Sequence, residues 1–533
     1  MMIQTRLQSV ATSSPSVTYR MRSSASTSHL RQLRSRHHFS IVLQGQYGCR
    51  SLHQGRQKYW TSAGSGRPLL TTGCALLGVL AITGVVLYTS RATHLDARVP
   101  PSTRTLLSAN VPTHRSSQND TIDTALRHNE RTVIPPLESG VCRYDIVRLS
   151  SNEPVEDTHK EAVLPVSSGY WSLFGIYDGH SGWETSTWLA DNLIPAVVGA
   201  LGDLYSRIAD ATKPSENTTP QPISSDVEKT LKETFSRLDD DIVNGRLEAV
   251  FSTRSKHAAV NLLAPAYAGS CALLSFYDSH SCLLHTALTG DSRAVLGRQI
   301  YDASDKPTGK YSVHILTADQ TGYNPSERER IESEHPDEQP VRNGRVLGMG
   351  VSRAFGDARF KWSREVQDRL KREYLGRTPL AAVKTPPYLT AEPEVTSIAV
   401  RPGDFLVLAS DGLWECLTSE EVVGLVGLWK EARSKRSRGE EPNGGAPLAS
   451  PEIPVERQEE DQTVRYRQWG AEKRFVSVDE NAATHLLRNA LGGADTDLTA
   501  ALLSMKAPRS RTYRDDMTIT VVFFTGDDRR GHS

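Results

Sequence analysis

The first acidic side chain in this 533-residue sequence is Asp96. Ahead of it stand Arg6, Arg20, Arg22, Arg31, Arg34, Arg36, Arg50, Arg56, Lys58, Arg67 and Arg91, in a background rich in serine and threonine. An arginine-rich stretch without acid has the composition of a mitochondrial presequence, drawn by its charge to acidic receptors and to a negative-inside potential. Residues 1–66 are assigned that role. Net charge is also missing: 62 basic residues balance 62 acidic ones. That balance excludes a nucleic-acid binder held by bulk charge, so no nucleic-acid partner is expected. No two of the six cysteines, Cys49, Cys74, Cys142, Cys271, Cys282 and Cys416, have CxxC spacing. Neither a zinc site nor a disulfide framework is therefore expected. Internal repeats are absent as well.

Charge is missing again from Pro68 to Tyr88, PLLTTGCALLGVLAITGVVLY, which is flanked by Arg67 and Arg91. A hydrocarbon core of about 30 Å needs roughly 20 apolar residues to cross it. Residues 67–90 are predicted to form one transmembrane helix. Behind a presequence, such a helix would anchor the protein in the inner mitochondrial membrane through residues 68–88. The body would then face the intermembrane space or the matrix. Residues 91–137, rich in Thr, Ser, Arg and Pro without apolar period, read as a disordered tether. Glu431 to Gln468, charged and holding Gly-Gly and several prolines, reads as a disordered insertion.

What the body contains is a series of short apolar runs that end in turns. Among them are YWSLFGIYDGH (Tyr170–His180), GSCALLSFYD (Gly269–Asp278), SCLLHTALTGDSR (Ser281–Arg293), DFLVLASDGLW (Asp404–Trp414) and MTITVVFF (Met517–Phe524). Their β-branched and aromatic content predicts strands. Helical spacing appears in Trp183–Leu201 and Asp226–Val243, from Pro325 through Ile331, and in Asn481–Leu491 ahead of Gly492-Gly493. Helices clustered between strands predict an α+β sandwich over residues 138–528.

Carboxylates recur where those runs stop: Glu156-Asp157 in SNEPVEDTH, Asp178 in FGIYDGHSG, Asp291 in LTGDSRA, Asp411 and Glu415 in LASDGLWE, and Asp515-Asp516 in YRDDMTI. Strand ends can converge on one cleft. Like charges 4 Å apart repel by ~4 kcal/mol at an effective dielectric of 20, and a hard divalent cation relieves that cost. An all-oxygen set suits Mg²⁺ or Mn²⁺ rather than Zn²⁺.

The ordered set FGIYDGHSG, GSCALL, TGDSRAVLG, GMGVSRAFGD, LASDGLWE and RDDMTI resembles the motif series of the metal-dependent protein phosphatases of type 2C. SNEPVED, DGHSGWETS and NAATHLLRNALGG resemble its mitochondrial pyruvate dehydrogenase phosphatase branch, fungal members included. The resemblance implies a central β-sandwich flanked by helices (α-β-β-α). It also implies hydrolysis of phosphoserine or phosphothreonine by a water activated between two Mg²⁺ or Mn²⁺ ions. Asp178 would bridge the metals, with the Gly179 carbonyl as a further ligand. Asp411 and Asp515 would complete the shell of the second metal, and Glu156 and Asp157 would hold metal-bound waters. Asp291, with Glu415 near it, would match a weaker third position. His180 would be the general acid. The implied partner is a phosphorylated protein, with the pyruvate dehydrogenase E1α subunit favoured.

Two departures stand out. The family commonly has a phosphate-clamping arginine four residues before the glutamate of the Glu-Asp pair. Here that position is Asn152, an uncharged donor that the mitochondrial branch also tends to carry. Asp516 stands where the family has asparagine, and Glu415 where many members have aspartate. Two other readings remain: a partner-binding pseudophosphatase, and a hydrolase of this fold acting on small phosphoesters.

Overall fold

Eleven strands build two antiparallel sheets in the computed structural model, which describes residues 115–211, 221–440, 447–456 and 461–525. In chain order they are β1 (Arg131–Val133), β2 (Val141–Leu149), β3 (Thr158–Val166), β4 (Gly169–Tyr177), β5 (Ala272–Asp278), β6 (Leu283–Thr289), β7 (Arg293–Tyr301), β8 (Pro307–Ile315), β9 (Glu394–Ala399), β10 (Phe405–Ala409) and β11 (Met517–Phe524). One sheet runs β1-β2-β11-β10-β7-β8 and the other β9-β6-β5-β4-β3. The helices used below are α1 (Arg115–Arg127), α2 (Glu184–Ala211), α3 (Ser224–Val243), α4 (Ser419–Ser437), α5 (Arg465–Trp469), α6 (Ala482–Ala490) and α7 (Ser510–Tyr513).

Period-two alternation decides which face each strand residue serves. In β10, Leu406 and Leu408 meet Phe174, Ile176, Leu273 and Leu296 between the sheets. Phe405, Val407 and Ala409 point the other way, into a second core with Val422, Val426, Leu486 and Leu487 of α4 and α6. The outer face of the other sheet packs Leu173, Leu274 and Phe276 against Leu189, Leu193, Leu231 and Phe235 of α2 and α3. Helix, sheet, sheet, helix is thus the layer order, as the resemblance implied.

In two segments predicted to be disordered, the described residues are folded. Within the supposed tether, α1 and β1 form: Ile122 and Leu126, four residues apart on one helix face, are buried, and Arg488 binds Asp123. Two apolar residues give too short a period to register in the sequence. Within the supposed insertion, α4 continues to Ser437, Leu448-Ala449 pairs with Arg474-Phe475, and Ile453, Val455 and Tyr466 are buried in the core. Here the anchors are single large residues spaced along polar chain, and no period connects them. The predicted presequence and the span at 68–88 lie outside the described residues. Among the described residues no helix is long and apolar enough to cross a membrane.

Candidate metal centre and active site

Both sheets deliver carboxylates to one end of the sandwich. Asp178 follows β4, Asp291 lies in the turn between β6 and β7, and Asp411 follows β10. Carboxylate oxygens of these three residues lie within 4.8 Å of one another. The Asp411 backbone N–H donates to Asp178 Oδ2 at 3.5 Å, and the Cys271 N–H donates to the Asp178 carbonyl at 2.8 Å. The Gly290 N–H donates to Gln320 Oε1 at 2.7 Å and holds the turn that presents Asp291. Burial, then Asp411, Asp157 and Asp291, push the Asp178 carboxyl well above the usual carboxylate range. Asp411 is pushed up in the same way by burial, Asp291 and Glu415. Burial and then Asp319 raise Asp291 to about 6. Carboxylates forced together at such cost fit a divalent cation, and the all-oxygen donor set suits Mg²⁺ or Mn²⁺.

The segment before β3 closes the cluster. Asp157 is buried and accepts from Ser410 Oγ at 2.7 Å and Thr518 Oγ1 at 2.8 Å. Burial and the neighbouring Asp516 raise its pKa to about 7. Glu156 accepts from the Gly182 N–H at 2.7 Å and from Asn152 Nδ2 at 2.5 Å. Gly179 sits against this segment so closely that a Cβ would run into the Glu156 carbonyl. The organiser of the segment is Asp516. Its Oδ1 accepts from Ser151 N, from Ser151 Oγ at 2.9 Å and from Asn152 N at 3.1 Å, and its Oδ2 accepts from Glu156 N at 2.9 Å. The extra carboxylate of the DD pair is therefore turned to backbone.

His180 is placed by a short three-stranded sheet that pairs Gly179–His180, Gly269–Ser270 and Phe355–Gly356. Pairing brings His180 opposite Gly269 and Gly356 opposite the same glycine. A side chain at 269 would occupy the space in which His180 Nε2 meets Asp357 Oδ2 at 2.6 Å. Burial works against the imidazolium, yet Asp357, Asp291 and Glu156 outweigh it and the pKa of His180 is raised. Asp357 was not singled out from the sequence as a site residue, although the GMGVSRAFGD motif ends on it. Its N–H donates to the Ala268 carbonyl at 2.9 Å, and Asp239 fixes the turn by accepting from the Gly356 N–H at 2.9 Å and from Lys361 Nζ at 2.7 Å.

The protein phosphatase 2C family profile matches residues 150–440. A protein phosphatase 2C homologue of Schizosaccharomyces pombe is 41% identical over 448 residues, covering 83% of this chain and 93% of the relative. The chain belongs to the protein phosphatase 2C family. The mitochondrial pyruvate dehydrogenase phosphatase 1 of Saccharomyces cerevisiae is 36% identical over 76% of this chain and 72% of its own length. That of Rattus norvegicus is 31% identical, over 76% and 82%. This chain is accordingly a protein serine/threonine phosphatase, of a family that depends on Mg²⁺ or Mn²⁺.

In this phosphatase the remaining expected site residues fall on the rim. Glu415 does not face the cluster unpaired: Arg465 of α5 donates Nε at 2.7 Å and lies within 2.6 Å through Nη2. The Val464 and Arg465 N–H groups both donate to the Glu415 carbonyl at 3.0 Å. Asp515 precedes β11, accepts from the Asp516 N–H at 2.6 Å and pairs with Arg511 of α7. It lies outside the group of three converging carboxylates. Asn152 lines a surface recess of about 470 Å³ with Glu153, Pro154, Glu156, Trp183, Ala507 and Pro508. The two arginines lie in segments without strand or long-helix signal, and nothing in the sequence pattern pointed to them.

Proposed function

We propose that this phosphatase hydrolyses phosphoserine and phosphothreonine in mitochondria and that the phosphorylated E1α subunit of pyruvate dehydrogenase is its substrate. The convergence of Asp178, Asp291 and Asp411 within 4.8 Å carries the chemical reading. Asp178, Asp411 and the Gly179 carbonyl would hold two divalent cations, with Asp515 joining them. Glu156 and Asp157 would hold ordered water, and Asp291 with Glu415 would border a weaker third position. When bound, such cations lower the pKa of water and stabilise charge on phosphoryl oxygens.

The chain's own residues supply the rest. His180, whose Nε2 is held by Asp357 and whose imidazolium that carboxylate favours, is suited to give the proton on its other ring nitrogen, Nδ1, to the departing serine or threonine oxygen. The imidazole then keeps a carboxylate partner that stabilises its recharging. Asp157, fixed by Ser410 and Thr518, can hold a proton or a water beside the cluster near neutral pH. Asn152 offers an amide at the mouth of the site.

The choice of substrate and compartment is supported by the relatives' similarity and by the acid-free leader. The inner-membrane anchor rests on residues 68–88 alone. The test uses the full chain with phosphorylated E1α and an unrelated phosphoprotein, with Mn²⁺, with EDTA, and as Asp178→Asn. Metal-dependent release from E1α that the variant loses supports the reading. Release from the unrelated protein alone would overturn the substrate, and no release at all would favour a partner-binding role.

A further inference from the structure

We infer that Arg511 is the substrate-phosphate clamp of this enzyme, taking over the charge that Asn152 does not supply; the inference rests on the phosphatase reading. The loop around Asn152, residues 149–157, contains no arginine or lysine. Arg148 donates to the Asp157 carbonyl at 3.1 Å. Arg514 is buried and donates to the carbonyls of Ser150 at 2.5 Å and Leu502 at 3.2 Å. Arg509 lies over the Tyr513 ring at 5.8 Å. The loop instead has α7 packed directly against it: Ser510 Oγ donates to the Ser151 carbonyl at 2.5 Å. Arg511 is the next residue. Its guanidinium pairs with Asp515 at the edge of the acidic cluster, while 41% of its side chain stays open to solvent.

The field of Arg511 also reaches Asp157 and Asp411, where it opposes the rise in carboxyl pKa. So a planar fork of donors stands at the cluster's solvent side, on the segment that touches the Asn152 loop. That fork matches two oxygens of a phosphoryl dianion, which Asn152 Nδ2, turned to Glu156, does not. Recognition from α7 thus replaces recognition from the loop by a different side chain at the same mouth.

The experiment compares wild type, Arg511→Gln, Arg511→Lys and Arg511→Gln with Asn152→Arg in the full chain. It reads KM and kcat on a phosphothreonine peptide, competition by inorganic phosphate, and Mn²⁺ affinity by calorimetry. Arg511→Gln is expected to raise KM and weaken phosphate competition about tenfold or more, with Mn²⁺ bound as tightly as in wild type or tighter. Arg511→Lys should recover part of this, and adding Asn152→Arg should recover most. Unchanged KM and phosphate competition would overturn the clamp. So would a KM loss that follows weakened Mn²⁺ binding, which marks a residue that only holds Asp515. Failure of Asn152→Arg to rescue a folded Arg511→Gln would also overturn it. A wild type without metal-dependent turnover would instead sink the phosphatase reading itself.

Discussion

His180 Nε2 and Asp357 Oδ2 meet at 2.6 Å across 177 residues of chain. Asp357 favours the imidazolium, so Asp357→Asn is expected to lower the pKa of His180. A general acid must be protonated to act, so the alkaline limb of kcat should move to lower pH. kcat on a phosphothreonine peptide should fall about 10- to 100-fold. p-Nitrophenyl phosphate, whose leaving group departs without a proton, should lose far less. Equal losses on both substrates would show that Asp357 serves the fold and not the acid.

Asp178 and Asp411 repel each other in the metal-free chain, and Asp157 joins them with a pKa near 7 against the ordinary 3.8. Carboxyls raised on folding bind more protons folded than unfolded. Their contribution therefore favours the fold at low pH and is lost as pH rises from the unfolded value through the folded one. With EDTA, the melting midpoint should fall between about pH 5 and pH 8. Mn²⁺ competes with those protons, so the midpoint gained on adding it should be larger at pH 8. A metal effect independent of pH would contradict the charge-repulsion account.

Tyr466 sits in the region that composition marked as a disordered insertion, yet it is buried, and its hydroxyl donates to the Asn489 carbonyl at 2.6 Å. Tyr466→Ala is expected to cost about 3–5 kcal/mol in urea unfolding, the range for removing a buried aromatic. A change under about 1 kcal/mol would mean that the segment is dispensable.

The contrast between Tyr466 and Leu406 explains what the sequence could disclose. Leu406 and Leu408 belong to a run whose alternation and length announce a strand between two layers, and the carboxylate at its end falls where strand geometry puts it. That logic placed Asp178, Asp291 and Asp411. Asp357, Arg465 and Arg511 were illegible because each meets its partner through a turn or a short helix. Turns carry no period, and a charge on a polar segment looks like any solvated charge until its partner is known. Ile122 and Leu126 failed to register for a related reason, since two residues on one helix face do not make a pattern.

Asp516 bridges the backbone of Ser151, Asn152 and Glu156 with both its oxygens. Asp516→Asn would turn an amide donor toward N–H groups on one side. That should cost about 2–4 kcal/mol, from unsatisfied buried donors. It also removes the second cause of the raised Asp157 pKa, so that carboxyl should titrate lower in the variant. Carboxylate titration by NMR and urea unfolding read the two effects separately. A variant as stable as wild type would mean that the loop holds itself.

Arg465 neutralises Glu415 at the rim of the cluster, with 11% of the arginine and 30% of the glutamate side chain exposed. Glu415 in turn raises the Asp411 carboxyl. Removing Arg465 leaves that charge facing Asp411 without its partner. Arg465→Gln should therefore destabilise the metal-free protein by about 1–2 kcal/mol, discounted for the partial exposure. Adding Glu415→Gln should return most of the loss, because the unpaired charge and not the missing arginine is what costs. Mn²⁺ should also return part of the loss in the single variant, since a cation can take the place of the guanidinium. Calorimetry should then detect tighter or additional Mn²⁺ binding in Arg465→Gln and none of that gain in the double variant. If the double variant stays as unstable as the single, Arg465 matters through the packing of α5 itself, and Glu415 is not held in check by charge.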